Sequence, residues 1–189
     1  MARSAFLNQG EICLCGSRLY VEETFYDEFS EALVHEVNAL TVGDPRDLNS
    51  FMGPLVSSEH LAKVSSYIQH AKDAGLNILC GGERPKVLPS STGRDLSKGY
   101  FVQPTIVADV PESSRLQKEE VFGPVVTLSR FKSEDEVVSL ANSTRYGLSA
   151  SVWTNSLSRA HEMAARLEAG TVWINGWMIR DLRMPFGGV

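Results

Sequence analysis

Two cysteines lie one residue apart in the stretch NQGEICLCGSR, residues 8–18. A cysteine is a strong nucleophile as the thiolate, which positive charge or free backbone amides at a turn stabilise. Gly10 and Gly16 flank the pair and allow the backbone to come close to a reacting atom. The segment can therefore support covalent catalysis through the thiol of Cys13 or Cys15.

Three other interpretations of the cysteines compete with catalysis. Free cysteine is among the most buried residue types, so composition alone favours packing for all three thiols, and Cys80 in the apolar stretch NILC fits this well. A metal site needs three or four ligands, whereas Cys-x-Cys offers two, and we expect no metal. The histidines, which could add ligands, are dispersed at His35, His60, His70 and His161. A disulfide between Cys13 and Cys15 would close a small strained ring.

The composition is that of an ordinary globular domain. The 189 residues are 43% apolar and carry a net charge of −5, with Lys and Arg scattered, so we expect no nucleic-acid partner. No run approaches the roughly 18 apolar residues of a membrane span. Three cysteines and no leader-like start favour the cytoplasm. Both ends resemble cuts through a longer protein, and we expect residues 1–189 to form one domain.

Strand-like and helix-like segments alternate along the chain. Helix starts are predicted at Thr24, at Ser57 or Ser58, at Ser133 with Glu136, and at Ser156. Strands are predicted within 17–23, 77–82, 100–110, 125–131, 149–154 and 171–175. Such alternation is typical of parallel strands, so the sequence predicts an α/β fold, a three-layer α/β/α sandwich with a mainly parallel sheet.

Three segments together resemble motifs of the NAD(P)-dependent aldehyde dehydrogenases. NQGEICLCGSR is similar to the family's catalytic-cysteine signature, EEVFGPV (119–125) to its second motif and MPFGGV (184–189) to its third, in the same order. In that family the nucleophile is the third residue after the glycine. The resemblance therefore assigns the nucleophile to Cys13 and leaves Cys15 without a chemical role. It also implies the fold of the family's catalytic domain.

The resemblance implies a mechanism and a cofactor site. Cys13 would attack the aldehyde to give a thiohemiacetal, whose oxyanion its own backbone N–H could stabilise, and a thioester would then be hydrolysed. Glu120 would accept hydrogen bonds from the nicotinamide ribose of NAD or NADP, Phe122 would pack beside the nicotinamide, and Lys63 would contact the ribose. The alternative for Glu120 is a solvated acid in a loop. The alternatives for Phe122 and Lys63 are an aromatic residue in the core and a lysine on a helix surface.

The stretch NGWMIRDLRMPFGG (175–188) is similar to the branch that oxidises 2-aminomuconic and 2-hydroxymuconic semialdehydes. Those substrates carry a carboxylate, which a guanidinium can hold through two parallel hydrogen bonds. The resemblance thus suggests that Arg180 binds the substrate carboxylate and that Phe186 lines the aldehyde pocket. The alternatives are an arginine paired with Asp181 and an aromatic that only packs a turn.

The chain also departs from the family pattern. Cys13 lies almost at its start, so the family's coenzyme-binding domain, water-activating glutamate and final segment would all lie outside it; Glu11 is not that glutamate. We therefore expect no NAD turnover by the isolated chain, and a homo-oligomer for the full-length enzyme. A non-catalytic binding or structural protein that retains the fold, and another branch such as a betaine or retinal-type enzyme, stay open as alternatives.

Overall fold

The computed structural model describes residues 1–189, which form two compact units, Met1–Arg130 and Phe131–Val189. Each unit has its own sheet. No helix in either unit has the length and apolar character needed to cross a membrane.

The first unit holds a four-stranded sheet in the order β1-β4-β3-β2. Its elements are α1 (Ala2–Phe6), β1 (Arg18–Glu22), α2 (Tyr26–Asn38), α3 (Ser58–Asp73), β2 (Asn77–Cys80), β3 (Thr105–Ala108), α4 (Arg115–Lys118) and β4 (Val125–Phe131). Strands β3 and β4 are parallel, as predicted, whereas β2 pairs with β3 antiparallel.

Neighbouring residues of β3 face opposite sides of this sheet, because side chains alternate along a strand. Ile106 belongs to the apolar cluster that includes Leu33 and Val37 of α2. Val107 belongs to a second cluster, built around Val64 and its neighbours on α3. One helix thus covers each face, and the predicted α/β/α layering is confirmed within this unit.

The second unit contains α5 (Glu134–Ala141), β5 (Ser149–Val152), α6 (Leu157–Arg166) and β6 (Thr171–Ile174). Strands β5 and β6 are parallel, with Ser149 opposite Thr171. The C-terminal segment packs onto the start of β5: the backbone N–H groups of Gly170 and Val189 both donate to the carbonyl oxygen of Gly147, at 2.9 and 3.3 Å. The α/β fold with mainly parallel pairing is confirmed.

Most of the predicted helix starts are confirmed. The hydroxyl oxygens of Ser57, Ser133 and Ser156 each accept a hydrogen bond from the backbone N–H three residues further on, at 3.2–3.3 Å. The prediction at Thr24 is wrong. A single 3-10 turn spans Glu23–Phe25, and α2 begins at Tyr26 without a side-chain cap.

Two aspartates fasten the long loop between β2 and β3 to the loop that follows α2. Asp44 is fully buried, and its Oδ2 accepts from the hydroxyls of Ser90 (3.0 Å) and Thr92. Asp47 Oδ2 accepts from the backbone N–H of Ser91 at 3.1 Å. The two carboxylates therefore satisfy donors on a loop that has no regular structure of its own.

This aspartate clamp is expected to weaken in acid. The hydroxyl of Thr92 lowers the pKa of Asp44, and the backbone N–H of Asn49 lowers the pKa of Asp47. Because the folded pKa values lie below the unfolded value of about 3.9, the stabilisation is complete above that pH and is lost as the pH falls through the folded values. We expect the double variant Asp44→Asn/Asp47→Asn to lower the Tm by several degrees at pH 6 and to flatten its fall below about pH 4.

Thermal melts between pH 3 and pH 6 check this prediction. The exposed helix residue Asp73, changed to asparagine, serves as the control for a lost carboxylate elsewhere in the same unit. An equally steep loss of Tm below pH 4 in the wild type and in the double variant would contradict the role of the clamp.

Candidate active site

The cysteine loop, residues 8–16, connects α1 to β1 through an unusual backbone. Asn8 and Gln9 have φ values of 51° and 58°, which residues other than glycine rarely adopt, and Gly10 has a φ of 70°. Leu14 is buried and anchors the loop, whereas the Cys13 side chain is exposed. The Cys13 backbone N–H donates to no acceptor within the chain. The loop therefore presents a thiol together with an available amide donor.

The cysteine loop packs directly against the second motif. A Cβ atom built on Gly10 would lie 2.4 Å from the carbonyl oxygen of Gly123, so no larger residue fits there. Gly123 is equally confined, since its Cβ would lie 2.6 Å from the Val64 side chain on α3. The turn is strained at Phe122, which has a φ of 56°. Backbone contact therefore brings together two of the motifs that the sequence separates by about a hundred residues.

His60, near the start of α3, connects the same two segments. Its Nε2 lies 2.6 Å from the carbonyl oxygen of Phe122 and 3.3 Å from Oε1 of Glu11. Glu11 Oε1 also accepts from the backbone N–H of Val56 at 3.2 Å. The carboxylate of Glu11, two residues before Cys13, thus holds the start of α3.

The three predicted cofactor residues lie in the first unit. Glu120 is exposed, and its carboxylate takes part in no hydrogen bond or ion pair within the chain. The Phe122 ring is half-buried and meets the His60 ring edge to face, with centroids 6.3 Å apart. Lys63 is exposed on α3, one turn beyond His60 and on the same side of the helix.

The residue before Glu120 is fixed by two neighbouring elements. Glu119 Oε2 accepts from the hydroxyl of Tyr67 at 2.7 Å and from Arg115 at 3.1 Å. The Arg115 guanidinium stacks on the Tyr67 ring at 3.9 Å. The carboxylate of Glu119 is thus held by Tyr67 and Arg115, whereas the side chain of Glu120 is exposed to solvent. Neither Tyr67 nor Arg115 belongs to a motif, so no sequence pattern points to them.

Arg180 and Phe186 lie in the second unit. The Arg180 guanidinium sits 5.1 Å from the centroid of the Phe186 ring, and both side chains are exposed. Asp181 pairs with Arg183, whose Nε lies 2.9 Å from Oδ1. The alternative in which Asp181 pairs with Arg180 is therefore wrong. Arg180 makes no ion pair within the chain and is available to an external anion.

The three thiols have different environments, which predicts an order of reactivity. Burial raises the pKa of Cys15 to about 11 and also raises the pKa of Cys80. At pH 8 the fraction of Cys15 present as thiolate is thus about a hundredfold smaller than it would be if the thiol kept its ordinary pKa. We expect iodoacetamide to label exposed Cys13 first, with peptide mapping by mass spectrometry as the measurement. Labelling of Cys80 as fast as Cys13 would contradict this.

Comparison with known proteins agrees with the motifs. The sequence profile of the aldehyde dehydrogenase family matches residues 1–189. The chain is 44% identical over 188 residues to a 2-aminomuconic 6-semialdehyde dehydrogenase of a Pseudomonas species, covering 100% of this chain and 37% of that protein. It is 45% identical over 186 residues to the 2-hydroxymuconic semialdehyde dehydrogenase of Pseudomonas sp. strain CF600, covering 98% of this chain and 37% of that protein.

A solved structure shares the fold. Betaine aldehyde dehydrogenase from Staphylococcus aureus, crystallised in complex with NAD+, superposes with a TM-score of 0.92 at 37% identity, over 100% of this chain and 36% of that one. The chain thus spans little more than a third of the length of these proteins. The profile match over all 189 residues, and the agreement in fold, establish that the chain belongs to the aldehyde dehydrogenase family.

Proposed function

We propose that residues 1–189 are the catalytic portion of an aldehyde dehydrogenase that oxidises a semialdehyde carrying a carboxylate, with Cys13 as the nucleophile. The observation that carries this proposal is the exposed Cys13 thiol on a strained turn, beside an unpaired amide and packed through Gly10 against Gly123 of the second motif. Strained backbone is concentrated at functional sites, where the surrounding structure holds it.

The proposed chemistry begins at the Cys13 sulfur, which forms a bond to the aldehyde carbon. The carbonyl oxygen becomes an oxyanion, and the unpaired Cys13 N–H is suited to donate to it. A bound nicotinamide cofactor supplies the two-electron oxidation. Hydrolysis of the resulting Cys13 thioester then releases the carboxylic acid and restores the thiol.

The residues of the second motif fit a nicotinamide cofactor. An exposed carboxylate without an internal partner, as at Glu120, is the acceptor that a ribose diol requires. The Phe122 ring offers an apolar surface, and Lys63 offers an exposed cation. These side chains would reach only the nicotinamide half of NAD, so we expect them to bind the dinucleotide weakly by themselves. NADP remains compatible with the same three contacts.

Arg180 supports an anionic substrate. Its guanidinium is exposed, stacks on Phe186 and lacks an internal carboxylate, because Arg183 already neutralises Asp181. A substrate carboxylate would be held by charge-assisted hydrogen bonds. The two relatives named above act on muconic semialdehydes, which agrees with this substrate class.

Protection of Cys13 by aldehydes tests the substrate class. A thiohemiacetal blocks alkylation, so the aldehyde concentration that halves the rate of iodoacetamide labelling measures aldehyde binding. Succinic semialdehyde and butanal have the same number of carbons but differ in the carboxylate. We expect Arg180→Gln to weaken protection by succinic semialdehyde about tenfold or more and to leave butanal unaffected.

The variant Arg159→Gln is the matched control, since it removes another exposed arginine of the second unit, whose partner is Glu134, and leaves Asp181 paired with Arg183. Equal loss of protection against both aldehydes, or loss against neither, would exclude Arg180 as the carboxylate ligand. Protection by butanal alone in the wild type would favour another branch of the family.

A further inference from the structure

His60 carries a partly buried imidazole, and one of its ring N–H groups faces both the cysteine loop and the second motif. The side chains of His60 and Glu11 are 15% and 10% exposed. Both partners of Nε2, the Phe122 carbonyl at 2.6 Å and the Glu11 carboxylate at 3.3 Å, are acceptors. Nε2 must therefore carry a proton, and this single N–H lies between the cysteine loop and the second motif.

The two acceptors are close in sequence to the proposed reacting groups. Glu11 precedes Cys13 by two residues, and Phe122 follows Glu120 by two. The backbone at Phe122 has a φ of 56°, an unfavourable value that persists only when neighbouring groups hold it. His60 supplies the hydrogen bond to that carbonyl, and its ring packs against the Phe122 ring.

We propose that His60 is a positioning residue, which holds the cysteine loop and the 119–125 motif in register through its Nε2–H. It acts through Glu11 and Phe122 and does not touch the substrate. Its loss would displace the Cys13 backbone N–H from the position where it stabilises an oxyanion. This inference rests on the proposed function, because it assigns His60 a role in the chemistry of Cys13.

Two reactions of Cys13 separate positioning from general destabilisation. In acylation by p-nitrophenyl acetate, the sulfur bonds to the carbonyl carbon, an oxyanion forms, and p-nitrophenolate leaves. In alkylation by iodoacetamide, the sulfur displaces iodide from a saturated carbon, and no oxyanion forms. A displaced amide donor slows only the first reaction.

The test compares three variants of the 189-residue chain. His60→Leu removes the donor, and His60→Gln keeps an N–H donor. His70→Leu makes the same change nearly three turns further along α3, where the histidine contacts Ser114. The rates of acylation and alkylation at Cys13 are measured by peptide mapping. Alkylation of half-buried Cys80 in the same samples reports on loosening of the fold.

We expect His60→Leu to slow Cys13 acylation about tenfold or more and to change alkylation by less than about twofold. His60→Gln should restore most of the acylation rate, and His70→Leu should leave both rates unchanged. Should His60→Leu fail to fold, His60→Ser replaces it in the same comparison.

Two results would overturn the positioning role: a parallel change in acylation and alkylation, or no change in either. The proposed function fails separately, when wild-type Cys13 is not acylated at all. An acylated wild type with an unaffected His60→Leu variant rejects only the role of His60.

Discussion

We expect the wild-type chain to release a burst of p-nitrophenolate from p-nitrophenyl acetate, and replacement of Cys13 by serine to abolish that burst. A serine hydroxyl is a weak nucleophile unless a base activates it. No histidine or carboxylate contacts Cys13 through a hydrogen bond in this structure. The rate of acylation at position 13 should fall by about a thousandfold or more.

Cys15 provides the matched control for this substitution. It lies two residues away, its sulfur is 3.9 Å from the Leu7 carbonyl oxygen, and burial raises its pKa to about 11. Cys15→Ser should therefore retain the full burst. A burst that survives in Cys13→Ser and disappears in Cys15→Ser would show that the nucleophile is Cys15 and would contradict its assignment to Cys13.

Replacement of Gly10 by alanine is expected to lower the free energy of unfolding by about 3 kcal/mol. The new Cβ would lie 2.4 Å from the carbonyl oxygen of Gly123, which is backbone and cannot rotate away. The φ of 70° adds the cost of a left-handed conformation. Relief of the clash would separate the two motifs, so acylation of Cys13 should fall as well.

Gly75→Ala isolates the contribution of the contact. Gly75 has a φ of 64°, but nothing lies within 4 Å of its Cβ position. We therefore expect it to cost only about 1 kcal/mol, from the backbone conformation alone. Urea denaturation of both variants gives the comparison. Equal costs would mean that the Gly10–Gly123 contact contributes nothing to stability.

Local sequence patterns predict much of the fold. The stretch VVTLSRF corresponds to β4, residue for residue, because its apolar and β-branched residues suit a buried strand. Serine caps locate three helix starts, since each bond closes within three residues. Helices of four or five residues, α1 and α4, contain too little of the helical period to be recognised. The antiparallel direction of β2 depends on a long connection that no local pattern encodes.

In the site too, local sequence patterns predict the residues that lie within motifs but miss a residue whose contacts are distant in the sequence. Cys13 and Glu120 stand out because each lies in a compact motif. In the sequence His60 is only one of four dispersed histidines, since its partner Phe122 is 62 residues away and is contacted through a backbone carbonyl. Such a contact leaves no signature in residue type or spacing. The helix start at Ser57 was the available signal, because it places His60 in the first turn of α3.

Mass-spectrometric mapping of the acetyl group after one turnover with p-nitrophenyl acetate is the most direct test of whether Cys13 is the nucleophile. We expect a single acetyl group on Cys13, formed within the burst and absent from Cys13→Ser. Acetylation confined to Cys80, to Cys15 or to lysine side chains, with Cys13 unmodified, would contradict it.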